Sequence, residues 1–130
     1  MSGGIETASA RLRAARKLIA DPSKWTKGWF ARDAKGVMAS LDDPQAVCFC
    51  AIGAIAATSA TDSETVQALT RQAMARGFAS VPDFNDHETT SHADVLALFD
   101  AAIAEREETE ARLARELAGE LIALNAPGDP

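Results

Sequence analysis

The chain has 130 residues, a formal charge of −6 at pH 7, 47% hydrophobic residues, only 5% aromatic ones and no tyrosine. That length suits a single domain whose core needs neither metal nor disulfide support. Alanine and aliphatic residues dominate and β-branched residues are scattered, so the composition excludes a strand-rich fold and predicts a mainly α, compact helical domain.

The net charge hides an asymmetry. Residues 1–35 hold eight Lys/Arg against three Asp/Glu, whereas the remainder holds five against sixteen. A basic end lying on an acidic body is self-complementary. A nucleic-acid footprint would need those basic groups on one exposed face, and the acidic body would repel phosphate at a distance, so nucleic acid is an unfavoured partner. No charged-then-apolar leader opens the chain, which points to a reduced cytoplasmic setting.

In chain order, Ile5, Ala8, Leu12, Ala15 and Ile19 recur at helical spacing and predict an amphipathic helix that Asp21-Pro22 ends. Residues 23–42 are irregular. Trp25 and Trp29, four apart, are expected on a short helical turn with both indoles on the core. Gly36 marks a turn, and at most one short extended segment is expected near 37–41.

The run from Asp43 to Thr58 is the expected centre of the fold. Asp43 reads as an N-cap and Pro44 as the first helical residue, followed by a helix apolar on all sides. At about fourteen residues it is too short to span a bilayer, which takes about twenty, so no membrane partner is expected. Cys48 and Cys50 would point about 200° apart on that helix and could not bridge. Small residues at Cys50, Gly53, Ala54 and Ala57 would let a neighbouring helix approach closely.

Thr61-x-x-Glu64 reads as a capping box before a helix with Val66, Leu69, Ala73 and Met74 inward, closed by Gly77. Residues 79–90 read as a loop. Ser91-x-x-Asp94 is a second capping box, leading into Val95, Leu96, Leu98, Phe99, Ala102 and Ile103. The polar stretch 105–110 is expected to set a helical extension, 105–130, apart from a core domain, 1–104. In that extension Leu113, Leu117, Leu121 and Leu124 form a stripe, and the spacing leaves open whether 92–124 is one helix or two.

The order Trp25-x-x-Gly28, Ala31-x-Asp33-x-x-Gly36, Asp43-Pro44-x-Ala46, Cys50-x-x-Gly53-Ala54-Ile55, Phe84-Asn85-Asp86 and Asp94-Val95-Leu96 resembles a family of short bacterial and phage proteins. That family is a domain of unknown function. The resemblance covers about residues 10–104 and implies motif order rather than an activity. Phe49 stands where the family usually has tryptophan.

Three kinds of chemistry can be weighed. Cys50 could serve a cysteine-dependent hydrolase, with His87 or His92 as base and Asn85 or Asp86 to orient it. On the helix expected here, however, Cys50 would lie in the second turn, beyond the field that lowers a thiol pKa, and a buried, inert thiol is the plainer expectation. His87 and His92 are five apart with no third spaced ligand, so neither metal nor other cofactor is expected. Asn85 and Asp86 form a candidate functional loop with Trp25, although such side chains commonly hold turns. The leucine stripe is a candidate interface, for a homodimer or another protein. The expected function is therefore non-enzymatic partner binding, ahead of the hydrolase and of nucleic-acid binding through the basic N-terminal helix.

Overall fold

The structure, a computed structural model, describes residues 6–58 and 63–125. The first helix, α1 (Ala8–Leu18), starts where the Thr7 hydroxyl accepts the Ala10 amide at 3.2 Å. Ala8, Leu12, Ala15 and Ile19 are buried along one side, as the spacing requires; Ile5 lies outside the described residues. Asp21 then caps a single 3-10 turn, Pro22–Lys24.

The fold is mainly helical, as expected, but the next segment holds more extended structure than the single short segment expected near 37–41. A three-stranded antiparallel sheet forms from β1 (Ala31–Asp33), β2 (Met38–Ala39) and β3 (Ala46–Phe49), with β1 in the middle. The segment near 37–41 thus contains a strand that does have a partner. Asp33 holds the β1–β2 turn, its carboxylate accepting the amides of Lys35 and Val37, and Gly36 supplies the positive φ of 80° the turn needs. Ala31, Ala39 and Phe49 form a buried cross-strand row.

The helix expected over 43–58 is therefore shorter. Asp43 caps a turn, accepting the Gln45 amide at 2.8 Å, and 46–49 is extended, so α2 spans only Ala51–Thr58. Val-Cys-Phe is an apolar run that fits a strand as well as a helix, and a partner strand thirteen or more residues away decides between them. Trp25 packs at the edge of the core, but Trp29 is exposed rather than inward.

After α2 comes α3 (Ser63–Ala75); Thr61 of the expected capping box lies outside the described residues. Gly77 ends α3 with a φ of 91°, donating to the Met74 carbonyl while Phe78 donates to that of Ala73. This 5→2 and 6→1 pair satisfies carbonyls that the helix leaves open. Leu69 and Ala73 are buried as expected, but Met74 is exposed and Thr65 and Ala68 take inward places. The presumed loop 79–90 contains a further helix, α4 (Val81–Asp86), with Ser80 as N-cap and Pro82 in its first turn.

The Ser91–Asp94 box is formed in both directions, at 2.9 and 3.1 Å, and opens α5 (His92–Asn125), a single helix of 34 residues. The stretch 105–110 does not hold it off the body. Arg13 pairs with Glu107, Arg71 and Gln72 with Glu105, Arg106 with Glu64 at 3.0 Å, and Ser9 donates to Glu110. Burial pushes the Glu105 carboxyl up, but the bonds from Arg71 and Gln72 outweigh it and hold the group below its usual range. α1 runs antiparallel to α5, and their shared seam is the largest helix contact; α2 packs against α1, and α3 against α5.

Asn85 fastens α4 to the rest. It is buried, and its Oδ1 accepts both the Trp25 indole N–H at 2.8 Å and the Ala51 amide at 3.1 Å. Its Nδ2 donates to the Thr26 carbonyl at 3.1 Å and to Asp86 at 2.9 Å. Ala51 supplies the first amide of α2, a donor without a partner inside its own helix.

Two substitutions test this arrangement. Replacing Asn85 by alanine strands the buried Ala51 amide and the half-buried Trp25 indole and Thr26 carbonyl, each costing about 1–3 kcal/mol. The expected loss is at least about 3 kcal/mol in urea denaturation; a loss below about 1 kcal/mol would show that water replaces the bonds. At Gly53 the neighbour is not another helix but the backbone before β1, where an added methyl would overlap the Phe30 carbonyl oxygen. Alanine gains about 1 kcal/mol of helix propensity there. Backbone overlap cannot be relieved by a rotamer change and costs about 1–3 kcal/mol or more. Gly53→Ala is therefore expected to lower the denaturation midpoint, and a raised midpoint would contradict the close approach.

Candidate functional site

The segment before β1, the β3–α2 junction and α4 meet at a pocket of about 180 Å³ lined by Gly28, Trp29, Phe30, Cys50, Pro82 and Asp86. Gly28 reaches it through a positive φ of 84° and donates its amide to Asp86 Oδ1 at 2.9 Å. Trp29 and Phe30 stand half-exposed at its rim with ring centroids 5.9 Å apart. Of the candidate loop residues, Asp86 lines the pocket, whereas Trp25 and Asn85 are bonded to each other beneath it. Sequence reasoning missed Gly28, Trp29, Phe30 and Pro82 as neighbours of Cys50. The Ser80-x-x-Asp83 cap with Pro82 was the available signal for the helix that brings Pro82 there.

Cys50 occupies a different place from the one expected. It is not in a second turn but immediately precedes α2, and its Sγ accepts the Gly53 amide at 3.2 Å in the manner of an N-cap. That position favours a thiolate, yet the residue is only 7% exposed. Burial pushes its pKa up, against the amides of Gly53 and Ile52, and the Asp86 carboxylate pushes the same way. The thiol is held protonated, the reverse of an activated nucleophile.

The two histidines are engaged elsewhere. His87 Nδ1 meets the Thr89 hydroxyl at 2.9 Å and its ring lies edge-on to Phe78. His92 Nε2 meets the Ile19 carbonyl at 2.7 Å and its ring lies against Trp25. Neither is hydrogen-bonded to Cys50, and among the described residues no cluster of three or more His, Cys, Asp or Glu is arranged to hold a metal ion.

The basic N-terminal region is largely committed to internal contacts. Arg13 and Arg16 pair with Glu107 and Asp100 of α5, the Lys27 ammonium donates to the His87 carbonyl, and Arg32 donates to the carbonyls of Lys27 and Gly36. No described helix is long and apolar enough to cross a membrane.

The other candidate lies at the far end of α5. From Ala111 to Leu124 every residue is exposed. Leu113, Leu117, Leu121 and Leu124 are between 50% and 80% exposed and form an apolar stripe presented to solvent. It is helical, as the spacing predicts, and begins where the ion pairs to α1 and α3 stop.

Comparison with known proteins adds membership but no activity. No curated protein and no solved structure matches the chain. Residues 5–105 match the model of a family of unknown function, DUF6197, so the match takes in the pocket and stops short of the leucine stripe. The match covers most of the chain, and the protein belongs to that family.

Proposed function

We propose that this protein is a non-enzymatic binding protein, in a bacterial or phage accessory role, whose contact surface is the leucine face in the second half of α5. The observation that carries this reading is the exposure of four regularly spaced leucines on a helix already fixed at its other end. Leaving them in water forgoes about 1.5–3 kcal/mol of burial apiece, a cost that a partner removes. A hydrolase is the weaker reading, because burial keeps the Cys50 thiol protonated and no histidine touches it. Nucleic-acid binding is weaker still, since Arg13, Arg16, Lys27 and Arg32 bond within the chain.

Two measurements test the proposal. A chain ended after Glu110 keeps its ion pairs to α1 and α3, so it is expected to melt within a few degrees of the full-length protein. A photo-crosslinking residue at Leu117, introduced in the native cells, should capture a protein, either a second copy or another chain. No adduct at 117, or adducts no more frequent there than at a control position such as Lys35, would overturn the binding role.

A third measurement tests the weaker reading at Cys50. Folding raises its pKa, so the contribution to stability is whole below the ordinary value near 9.0 and declines as pH climbs above it. The chain has no tyrosine to obscure that window. Stability is expected to fall as pH rises above about 9.0, with a shallower slope in Cys50→Ala, and native Cys50 should label slowly at neutral pH. Rapid labelling at pH 7 would restore the hydrolase.

A further inference from the structure

The leucine stripe is a copy of the core seam of the helix that bears it. Leu113, Leu117 and Leu121 stand 18 residues beyond Val95, Phe99 and Ile103, and Leu124 stands 18 beyond Arg106. Eighteen residues are about five turns, so both sets project to the same side of α5. On that side Val95, Phe99 and Ile103 are buried against the body and Arg106 is half-buried, with α1 running antiparallel alongside, from His92 near Ile19 to Glu110 at Ser9. There α1 stops, because Thr7 is its extended N-cap. The stripe therefore faces the line along which another antiparallel helix would continue the seam.

Resting on the binding role proposed above, we infer that the occupant is the same segment of a second copy, lying antiparallel across a two-fold axis near residues 118–119. Three features select it. The leucine spacing is nearly palindromic: Leu113 falls opposite Leu124 of the second copy and Leu117 opposite its Leu121, so all eight leucines are paired. Every residue from Ala111 to Leu124 is exposed, so the face is open over about 21 Å, long enough for all four leucine pairs. Its end then abuts the start of α1, which makes the new contact continuous with the α1–α5 interface. A parallel pair is excluded, because the two copies of α1 would have to occupy the space between the helices. The antiparallel contact is isologous and closes on itself without leaving a stripe for a third chain.

The same register has a built-in weakness. Glu116 and Glu120 lie on one flank of the stripe, and the two-fold sets Glu120 of one copy close to Glu116 of the other. Arg112 offsets part of this, pairing with Glu116 along its own helix at 3.8 Å. The dimer is therefore expected to be tightened, not loosened, by moderate salt, since screening acts on a repulsion. Glu120→Lys turns both repulsions into attractions.

Sedimentation equilibrium of the full chain, Glu120→Lys and Leu117→Asp tests this. The full chain should show a concentration-dependent monomer–dimer equilibrium. Glu120→Lys should tighten it about three- to tenfold, as expected for two exposed charge pairs. Leu117→Asp should leave a monomer whose melt is unchanged. A full chain that is monomeric at every concentration would overturn the inference, as it would if its own N-terminal residues cover the stripe. A dimer that Glu120→Lys weakens or leaves unchanged would overturn the antiparallel register. If the chain is monomeric while a probe at Leu117 crosslinks to a different protein, the binding role survives and the second copy does not. If no adduct forms either, both fall.

Discussion

The fold turns on one buried carboxamide. Asn85 uses both lone pairs of its oxygen and both protons of its nitrogen, and its four partners belong to the Trp25–Thr26 loop, to the first residue of α2 and to its own neighbour. No other side chain of that size can do so. Aspartate lacks the donors and would set a second negative charge beside Asp86, while leucine would leave the donors and acceptor unpaired in a low-dielectric interior. The α4 helix has only six residues and cannot hold its position by helix propensity. Its register comes from Asn85 together with the packing of Val81 and Phe84, both buried. The pocket beside Cys50 is a consequence, because Asp86 and Pro82 arrive there only when α4 is so placed.

Much of the helical frame is legible in the sequence because its signals are local. Ser91-x-x-Asp94 and the glycine after α3 each fix an end within one turn, and the α1 stripe, Ala8 to Ile19, is complete within twelve residues. The sheet is not legible, since its strands have two to four residues and β3 finds its partner across an intervening strand and turn. No window of the sequence contains both strands and the reason they pair. The misplaced start of α2 follows from that. Asp43-Pro44 is equally good chemistry for a turn, and only the pairing of Arg32 with Cys48 decides it. That shift moved Cys50 from a helix interior to a helix start. Burial, which the apolar run does foretell, still sets the state of the thiol.

Charge is informative in a similar way. The basic start and acidic remainder meet as ion pairs between α1 and α5, and α3 contributes Arg71 and Glu64 to the same set. Most of these pairs are exposed, where each contributes about 0–1 kcal/mol, so they do not hold the helices together. Their effect is on register. Buried alanines and leucines slide past one another at little cost, whereas Arg16 on Asp100 and Ser9 on Glu110 fix which turn of α5 faces which turn of α1. The polar stretch 105–110, which in sequence looks like a separator, is the segment by which α5 is aligned on the body.

That alignment bears on how the rest of α5 can act. A free peptide of about fifteen residues is marginally helical, because the first turn must be nucleated at a loss. Residues 111–125 continue a helix already nucleated and clamped, so only propagation remains. Their content of Ala, Leu, Glu and Arg favours it, although Gly119 costs about 1 kcal/mol relative to alanine. A surface presented on such a helix loses little conformational entropy when it is covered, and ordering is among the largest costs of association. The residues before 111 thus hold the leucines in one orientation, on the side where α1 ends, so the binding role proposed above would require little further ordering.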